Sequence, residues 1–299
     1  MTAMHGKTVV ITGGTGGIGN MTALALAKMG AHVVIVGRSA PKLAAALEAV
    51  RAAAQHDRVS GELADLSEIA QVVALADRLN AAYPRIDVLI NNAGAFFPSR
   101  QLTREGLEMT FALNHMSYFA LTTRLLDTLI GSAPARIINV SSDAHRLAGL
   151  NFDDLQASRG YNTMVHYART KLMNVLFTME LVRKLALRGV GADRVTVNAL
   201  HPGFVASSFF TGKLGVMGLG MKVMTPIMRL TGTMISAEQG ARTSVFLASS
   251  PNVQGVSGAY FDENARMVRP AGAAYDDADA KRLWALSEQI MADKLAALA

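Results

Sequence analysis

A β-rich run, Thr8-Val9-Val10-Ile11, passes without a break into Thr12-Gly13-Gly14-Thr15-Gly16-Gly17-Ile18-Gly19, and a helical pattern begins at Gly17. Glycine permits a tight turn there and lets the backbone approach a pyrophosphate closely. The N-terminus of the following helix offers free N–H groups and a positive dipole end. No Gly-Lys-Ser/Thr follows, which excludes a P-loop. Gly13, Thr15, Gly17, Ile18 and Gly19 are therefore candidate contacts of a dinucleotide, against the alternative of a merely flexible loop.

The rest of the chain repeats the alternation. Strand candidates are Thr8–Ile11, His32–Val36, Arg58–Leu63, Asp87–Asn91, Arg136–Ser141, Arg194–Leu200 and Ala259–Phe261. Helix candidates are Gly17–Met29, Pro41–Ala54, Glu68–Tyr83, a segment through Asn114–Ile130, Val165–Arg188 and Ala237–Ser249. Near-continuous apolar runs such as Val33-Val34-Ile35-Val36 suit strands buried on both faces. The pattern predicts an α/β fold: a doubly wound parallel sheet of the Rossmann kind, about seven strands, with helices on both faces. No linker divides the chain, so residues 1–299 read as one domain. Asp143–Met164 and Phe204–Ile235 break the alternation at the carboxyl ends of strands, where such sheets bind ligands. The second stretch, Gly- and Met-rich, reads as a substrate lid around 204–235. Its methionines, Met217, Met221, Met224 and Met228, fit core packing and an adaptable lid equally well.

Composition narrows the class. Hydrophobic residues make up 51% and charged residues 17%, enough apolar material for a large core. Cysteine is absent, which removes thiol chemistry and Cys-based metal sites. The net charge of +6 is scattered rather than gathered in basic runs, so nucleic acid is not the expected partner. Few residues precede the first strand, leaving no room for a signal peptide. Lys213, Lys222, Pro226 and Arg229 interrupt the greasiest stretch, which argues against a spanning helix. A cytoplasmic chain is the expectation, with membrane contact possible.

Six motifs occur in a familiar order: Thr12–Gly19, Asn91-Asn92-Ala93-Gly94, Asn114, Ser142, Tyr167-Ala168-Arg169-Thr170-Lys171 and Pro202-Gly203. Together they resemble the short-chain dehydrogenases/reductases over almost the whole chain. The glycines fit the compact single-domain type (Gly13, Gly17, Gly19) and the longer sugar-nucleotide epimerases (Gly13, Gly16, Gly19) alike. Asn91-Asn92-Ala93-Gly94 and the lack of a sizeable C-terminal substrate domain favour the compact type.

Tyr167 and Lys171 lie four apart and share one helix face. A free tyrosine titrates at about 10, and a nearby ammonium is expected to lower that value. Tyr167 then exchanges a proton with a substrate oxygen as hydride moves to or from a nicotinamide. Ser142, at the end of a strand, orients the carbonyl and stabilises charge on its oxygen; the resemblance selects it over Ser141. The resemblance also implies that Lys171 donates to the nicotinamide ribose and that Asn114 holds a water linking Lys171 to solvent. Asn92, Ala93 and Gly94 are placed beside the cofactor, and Pro202, Gly203 and Val205 near the nicotinamide amide, with plain turns as the alternative.

The second strand ends in Val36-Gly37-Arg38-Ser39, where NAD enzymes usually carry an acidic residue. Gly37 leaves space and Arg38 can pair with a 2′-phosphate, so NADP(H) is expected in preference to NAD(H). Asp65 and Leu66 could contact the adenine, or Asp65 could simply cap a helix. His145, His166 and His201 show no metal-ligand spacing, and no metal is expected; they read as loop histidines, with His145 or His166 touching substrate.

Val140-Ser141-Ser142-Asp143-Ala144-His145, Asn151-Phe152-Asp153-Asp154-Leu155 and Leu283-Trp284-Ala285-Leu286-Ser287 resemble the retinol-dehydrogenase-like and WW-domain-oxidoreductase-like subgroup. That resemblance implies NADP(H), a small lipophilic alcohol or carbonyl substrate, and a homo-oligomer paired through the Tyr167 helix. Competing readings are a noncatalytic NADP(H)-binding sensor or scaffold and an epimerase or dehydratase that retains its cofactor.

Overall fold

The structure, a computed structural model, describes residues 3–204 and 235–297. Val205 and the four methionines of the expected lid lie outside the described residues. An eight-stranded sheet runs in the order β3-β2-β1-β4-β5-β6-β7-β8. Its strands are β1 (Thr8–Thr12), β2 (His32–Gly37), β3 (Val59–Leu63), β4 (Val88–Asn91), β5 (Ala135–Val140), β6 (Val195–Leu200), β7 (Tyr260–Phe261) and β8 (Met267–Val268). All pairings are parallel except β7 with β8. The seven expected strands are present, and β8 is an antiparallel addition of two residues that no apolar run announces.

Side-chain alternation divides the strands between two cores. Val10, Val34, Leu89, Ile137 and Val197 face one side, packed under α3 (Ile69–Ala82), α4 (Ser117–Gly131), α5 (Thr163–Leu187) and a C-terminal helix. Val9, Ile11, Val33, Ile35, Ile90 and Ile138 face the other, under α1 (Gly17–Lys28), α2 (Ala40–Ala54) and α6 (Ala237–Ser249). A period of two with both faces apolar is the property that made these runs legible.

The C-terminal helix, α7 (Asp277–Ala296), was not expected from the residue pattern. Its alanines and spread charges draw no clear stripe, yet Leu283 and Trp284 are buried against the first core. Trp284 stacks on Phe177 at 5.8 Å between ring centroids and meets Phe119 edge-on at 5.1 Å.

Strand order reverses between β1 and β4, which opens a crevice beyond their carboxyl ends. The helix expected through Asn114 begins earlier, with a short turn at Met109–Phe111, and passes through a π-helical turn, Ala112–Met116, before α4. Asn114 sits in that widened turn, a feature often found at functional sites. No helix among the described residues is long and apolar enough to cross a membrane.

Candidate active site

The glycines after β1 are not equivalent. Gly17 takes φ +55°, a left-handed conformation that disfavours any side chain. A Cβ on Gly19 would fall 2.5 Å from the Gly13 carbonyl oxygen and 2.5 Å from Asn92 Nδ2. Gly16 is extended, at φ −174°, and a Cβ there would meet open space. Of the two positions on which the spacings differ, 17 requires glycine and 16 does not, so the backbone fits the compact spacing of 13, 17 and 19.

Asn92 ties this loop to the crevice wall. Its Nδ2 donates to the Thr12 carbonyl at 2.9 Å. Thr12 Oγ1 accepts from the backbone N–H groups of Asn92 (2.8 Å) and Ala93 (3.0 Å). Thr12 is a residue the sequence reading did not assign; its hydroxyl next to a glycine loop was the available signal. The start of α1 has no side-chain cap and no acidic residue in its first turn. Uncapped N–H groups facing open space beside Gly16 and Gly17 fit a pyrophosphate.

From the loop, contacts lead directly to the residues expected to transfer a proton. A Cβ on Gly13 would lie 2.9 Å from Ala93 Cα, and one on Gly94 would lie 3.3 Å from both Asn114 Oδ1 and Lys171 Nζ. Asn114 is fully buried, and its Oδ1 accepts from Ala95 N at 2.8 Å. Its Nδ2 donates to the Ala95 carbonyl (3.0 Å) and to Thr170 Oγ1 (3.1 Å). It clamps the 94–95 turn onto α5.

Lys171 Nζ donates to the Val140 carbonyl at 3.1 Å and lies 5.8 Å from the centroid of the Tyr167 ring. The Ser142 hydroxyl hydrogen-bonds to the Tyr167 phenol, while Ser141 points the other way and donates to the Lys171 carbonyl at 2.8 Å. Successive residues leaving a strand face opposite sides, and this separates the two serines.

The electrostatics differ from the expectation that Lys171 would acidify Tyr167. Burial pushes Lys171 down to about 7 and Tyr167 up to about 12, and only the Ser142 hydrogen bond pulls the phenol back. Desolvation disfavours both charged forms more than their separation helps either. The phenol is therefore protonated at neutral pH, a state fit to donate.

Other expected contacts fare unevenly. Arg38 is exposed at the end of β2 and makes no hydrogen bond or ion pair among the described residues, so its guanidinium is available to an anion. The space left by Gly37 is not for a cofactor: a Cβ there would strike Thr15 Cγ2. Asp65 Oδ1 accepts from Ser67 N (3.0 Å) and Ser67 Oγ (2.7 Å), an Asx-type turn ahead of α3. The Leu66 side chain is in the core. Pro202 is buried, and Gly203 takes φ +78° against Ile235 and Glu263.

The three candidate histidines, His145, His166 and His201, are engaged within the fold. His166 Nε2 lies 2.6 Å from Glu108 Oε2, with both side chains buried, so this ring does not face a substrate. His145 is fully buried as well. No cluster of metal-binding side chains occurs among the described residues. Near the phenol, Phe96 packs edge-on against the Tyr167 ring at 5.7 Å.

Comparison with known proteins agrees with this geometry. The family model described as short chain dehydrogenase matches residues 7–215. Retinol dehydrogenase 14 of Mus musculus is 38% identical over 302 residues, covering 95% of this chain and 86% of that protein. The WW domain-containing oxidoreductase of Homo sapiens is 36% identical over 298 residues, covering 97% of this chain and 69% of that protein. Among solved structures, an uncharacterised protein from Mycobacterium paratuberculosis superposes with a TM-score of 0.75 at 30% identity, covering 96% of this chain and 94% of that one.

Proposed function

The chain belongs to the short-chain dehydrogenase family, and from that premise we propose that it is an NADP(H)-dependent oxidoreductase that interconverts a lipophilic alcohol and its aldehyde or ketone. The observation that carries this reading is the unbroken line of contacts from Gly13 through Ala93 and Gly94 to Lys171, Tyr167 and Ser142.

Gly13, Thr15, Gly17, Ile18 and Gly19, with the start of α1, would hold the pyrophosphate, and Arg38 the 2′-phosphate. Asn92, Ala93, Gly94 and Lys171 would line the nicotinamide side, with Pro202, Gly203 and Val205 opposite. Bound there, the nicotinamide supplies or takes up a hydride. The Ser142 hydroxyl donates to the substrate oxygen and fixes its place beside the Tyr167 phenol. Tyr167 gives its proton to that oxygen during reduction and recovers one during oxidation. Asn114 keeps the turn beside Lys171 rigid.

Apolar surroundings support a lipophilic substrate. Phe96 abuts the phenol, and Leu147, Met164 and Phe204 are exposed large hydrophobics on segments that border the site. The relatives named retinol dehydrogenase point the same way. The reading also takes the chain as a single domain of cytoplasmic location that pairs through the Tyr167 helix.

The test is NADPH oxidation, followed by absorbance, with all-trans-retinal, nonanal and acetophenone as carbonyl probes. Turnover is expected with the parent and absent in Tyr167→Phe, which still binds NADPH. Arg38→Ala should weaken NADPH about 10- to 100-fold and NADH little, the worth of one charge-assisted pair. A parent that prefers NADH, or an Arg38→Ala variant with unchanged preference, would refute the cofactor assignment.

A further inference from the structure

Behind Ser142 runs a buried line of polar side chains that the family motifs do not include. The Ser142 carbonyl accepts from His145 N at 3.0 Å and lies 2.8 Å from His145 Nδ1. His145 Nε2 accepts from the Ala271 backbone N–H at 2.9 Å. That contact fixes the tautomer: Nε2 is the acceptor, so Nδ1 carries the proton. Burial lowers the pKa of His145 and keeps the ring neutral, although its bond to Ser142 acts in the opposite sense.

The line continues through Tyr260. Its hydroxyl lies 3.3 Å from His145 Nδ1 and 3.0 Å from His201 Nδ1. His201 Nε2 lies 2.9 Å from Glu263 Oε2. With Nε2 donating to that carboxylate, the other ring nitrogen, Nδ1, is placed to accept from Tyr260. Every donor then points one way: Ala271 to His145, His145 to Ser142 and Tyr260, Tyr260 to His201, and His201 to Glu263. Aligned bonds of this kind polarise one another and hold a single arrangement.

We propose that His145 and Tyr260 are positioning residues that lock the turn after β5 and so aim the Ser142 hydroxyl at the substrate oxygen. His145 grips the Ser142 carbonyl. Tyr260 braces that ring, and the neighbouring Ser141 is bonded through its own hydroxyl to the Lys171 carbonyl on α5. The strand end carrying Ser142 and the helix carrying Tyr167 are thereby held in one register. Glu263 and His201 close the chain at the surface, and α6 supports the same loop through Thr243 Oγ1, which donates to the Asp262 carbonyl at 2.8 Å.

The inference rests on the catalytic reading of Ser142 given above, and a double-mutant cycle separates the two. Tyr260→Phe keeps the ring and removes only the hydroxyl. In reduction of all-trans-retinal or nonanal with NADPH, it should lower kcat about tenfold, since small misplacements of catalytic groups cost up to a hundredfold. The dissociation constant for NADPH should scarcely move, and the melting temperature should fall by only a few degrees, for the buried bond to His201 that is lost. In a Ser142→Ala background the same change should lower kcat less than about twofold, because the group being aimed is gone. His145→Ala should behave as Tyr260→Phe does, and His145→Asn, which restores a donor near Nδ1, should recover part of the loss. Full and equal losses in both backgrounds, or an unchanged kcat in Tyr260→Phe, would overturn the positioning role. An unchanged kcat in Ser142→Ala would instead overturn the catalytic reading, and the positioning role with it.

Discussion

Alanine placed in turn at Gly16, Gly17 and Gly19 should damage the protein in that ascending order, although the three lie within four residues. At Gly16 the backbone is extended and a Cβ meets nothing within 4 Å. The cost is the small difference between glycine and alanine as a helix cap, about 0.5 kcal/mol. At Gly17 there is also open space, but φ is +55°. A side chain in that conformation costs about 1–2 kcal/mol, part of which the stiffer unfolded chain returns. At Gly19 the new methyl would sit 2.5 Å from a backbone oxygen of Gly13 and 2.5 Å from the Asn92 amide. The amide can move only by giving up its 2.9 Å bond to Thr12. Overpacking of about 1–3 kcal/mol and a lost hydrogen bond of about 1 kcal/mol sum to about 2–4 kcal/mol. In a chain of this size each kcal/mol is worth about 2–3 °C, so Gly19→Ala should melt about 4–12 °C lower and Gly16→Ala within about 2 °C of the parent. The assay is thermal unfolding by circular dichroism without added nucleotide, so that stability is read apart from binding. Gly16→Ala as harmful as Gly19→Ala, or a silent Gly17→Ala, would refute the assignment of the three required glycines.

Lys171→Met should separate stability from activity. Burial pushes Lys171 down to about 7 in the fold, against 10.5 for a solvated lysine, so between those values the unfolded chain binds the extra proton and stability rises with pH. The variant should lose turnover yet melt higher than the parent below pH 7, with the advantage closing towards pH 10.5; an advantage that instead widens with rising pH would contradict the burial of a neutralised amine. Trp284→Ala should cost about 3–5 kcal/mol by the urea midpoint, because the ring is 6% exposed and packed on Phe119 and Phe177. A loss under about 1 kcal/mol would mean that α7 is not part of the core.

The sequence announces structure where one physical cause acts alone. Val33-Val34-Ile35-Val36 is apolar on both faces because helices cover both, and β2 (His32–Gly37) follows within a residue. Met267–Val268 forms a strand only because Tyr260 and Phe261 lie beside it, and nothing local marks it. The π turn around Asn114 is equally silent, since one extra residue per turn leaves the apolar pattern of the flanking helix intact. The candidate set was legible because its motifs, in their order, resemble those of a known family; the helical repeat that puts Tyr167 and Lys171 on one face and the strand alternation that separates Ser141 from Ser142 agree with that reading. Their protonation was not. Spacing brings Lys171 within 5.8 Å of the Tyr167 ring and suggests mutual stabilisation of charge. Packing strips water from both groups and reverses the sign, so each prefers its neutral form. Attraction between two charges depends on the pair, but desolvation depends on everything around it, including Val140, Tyr118 and Asn114, which belong to separate elements. A phenol that keeps its proton at neutral pH is the outcome of that collective effect, and no window of sequence contains it.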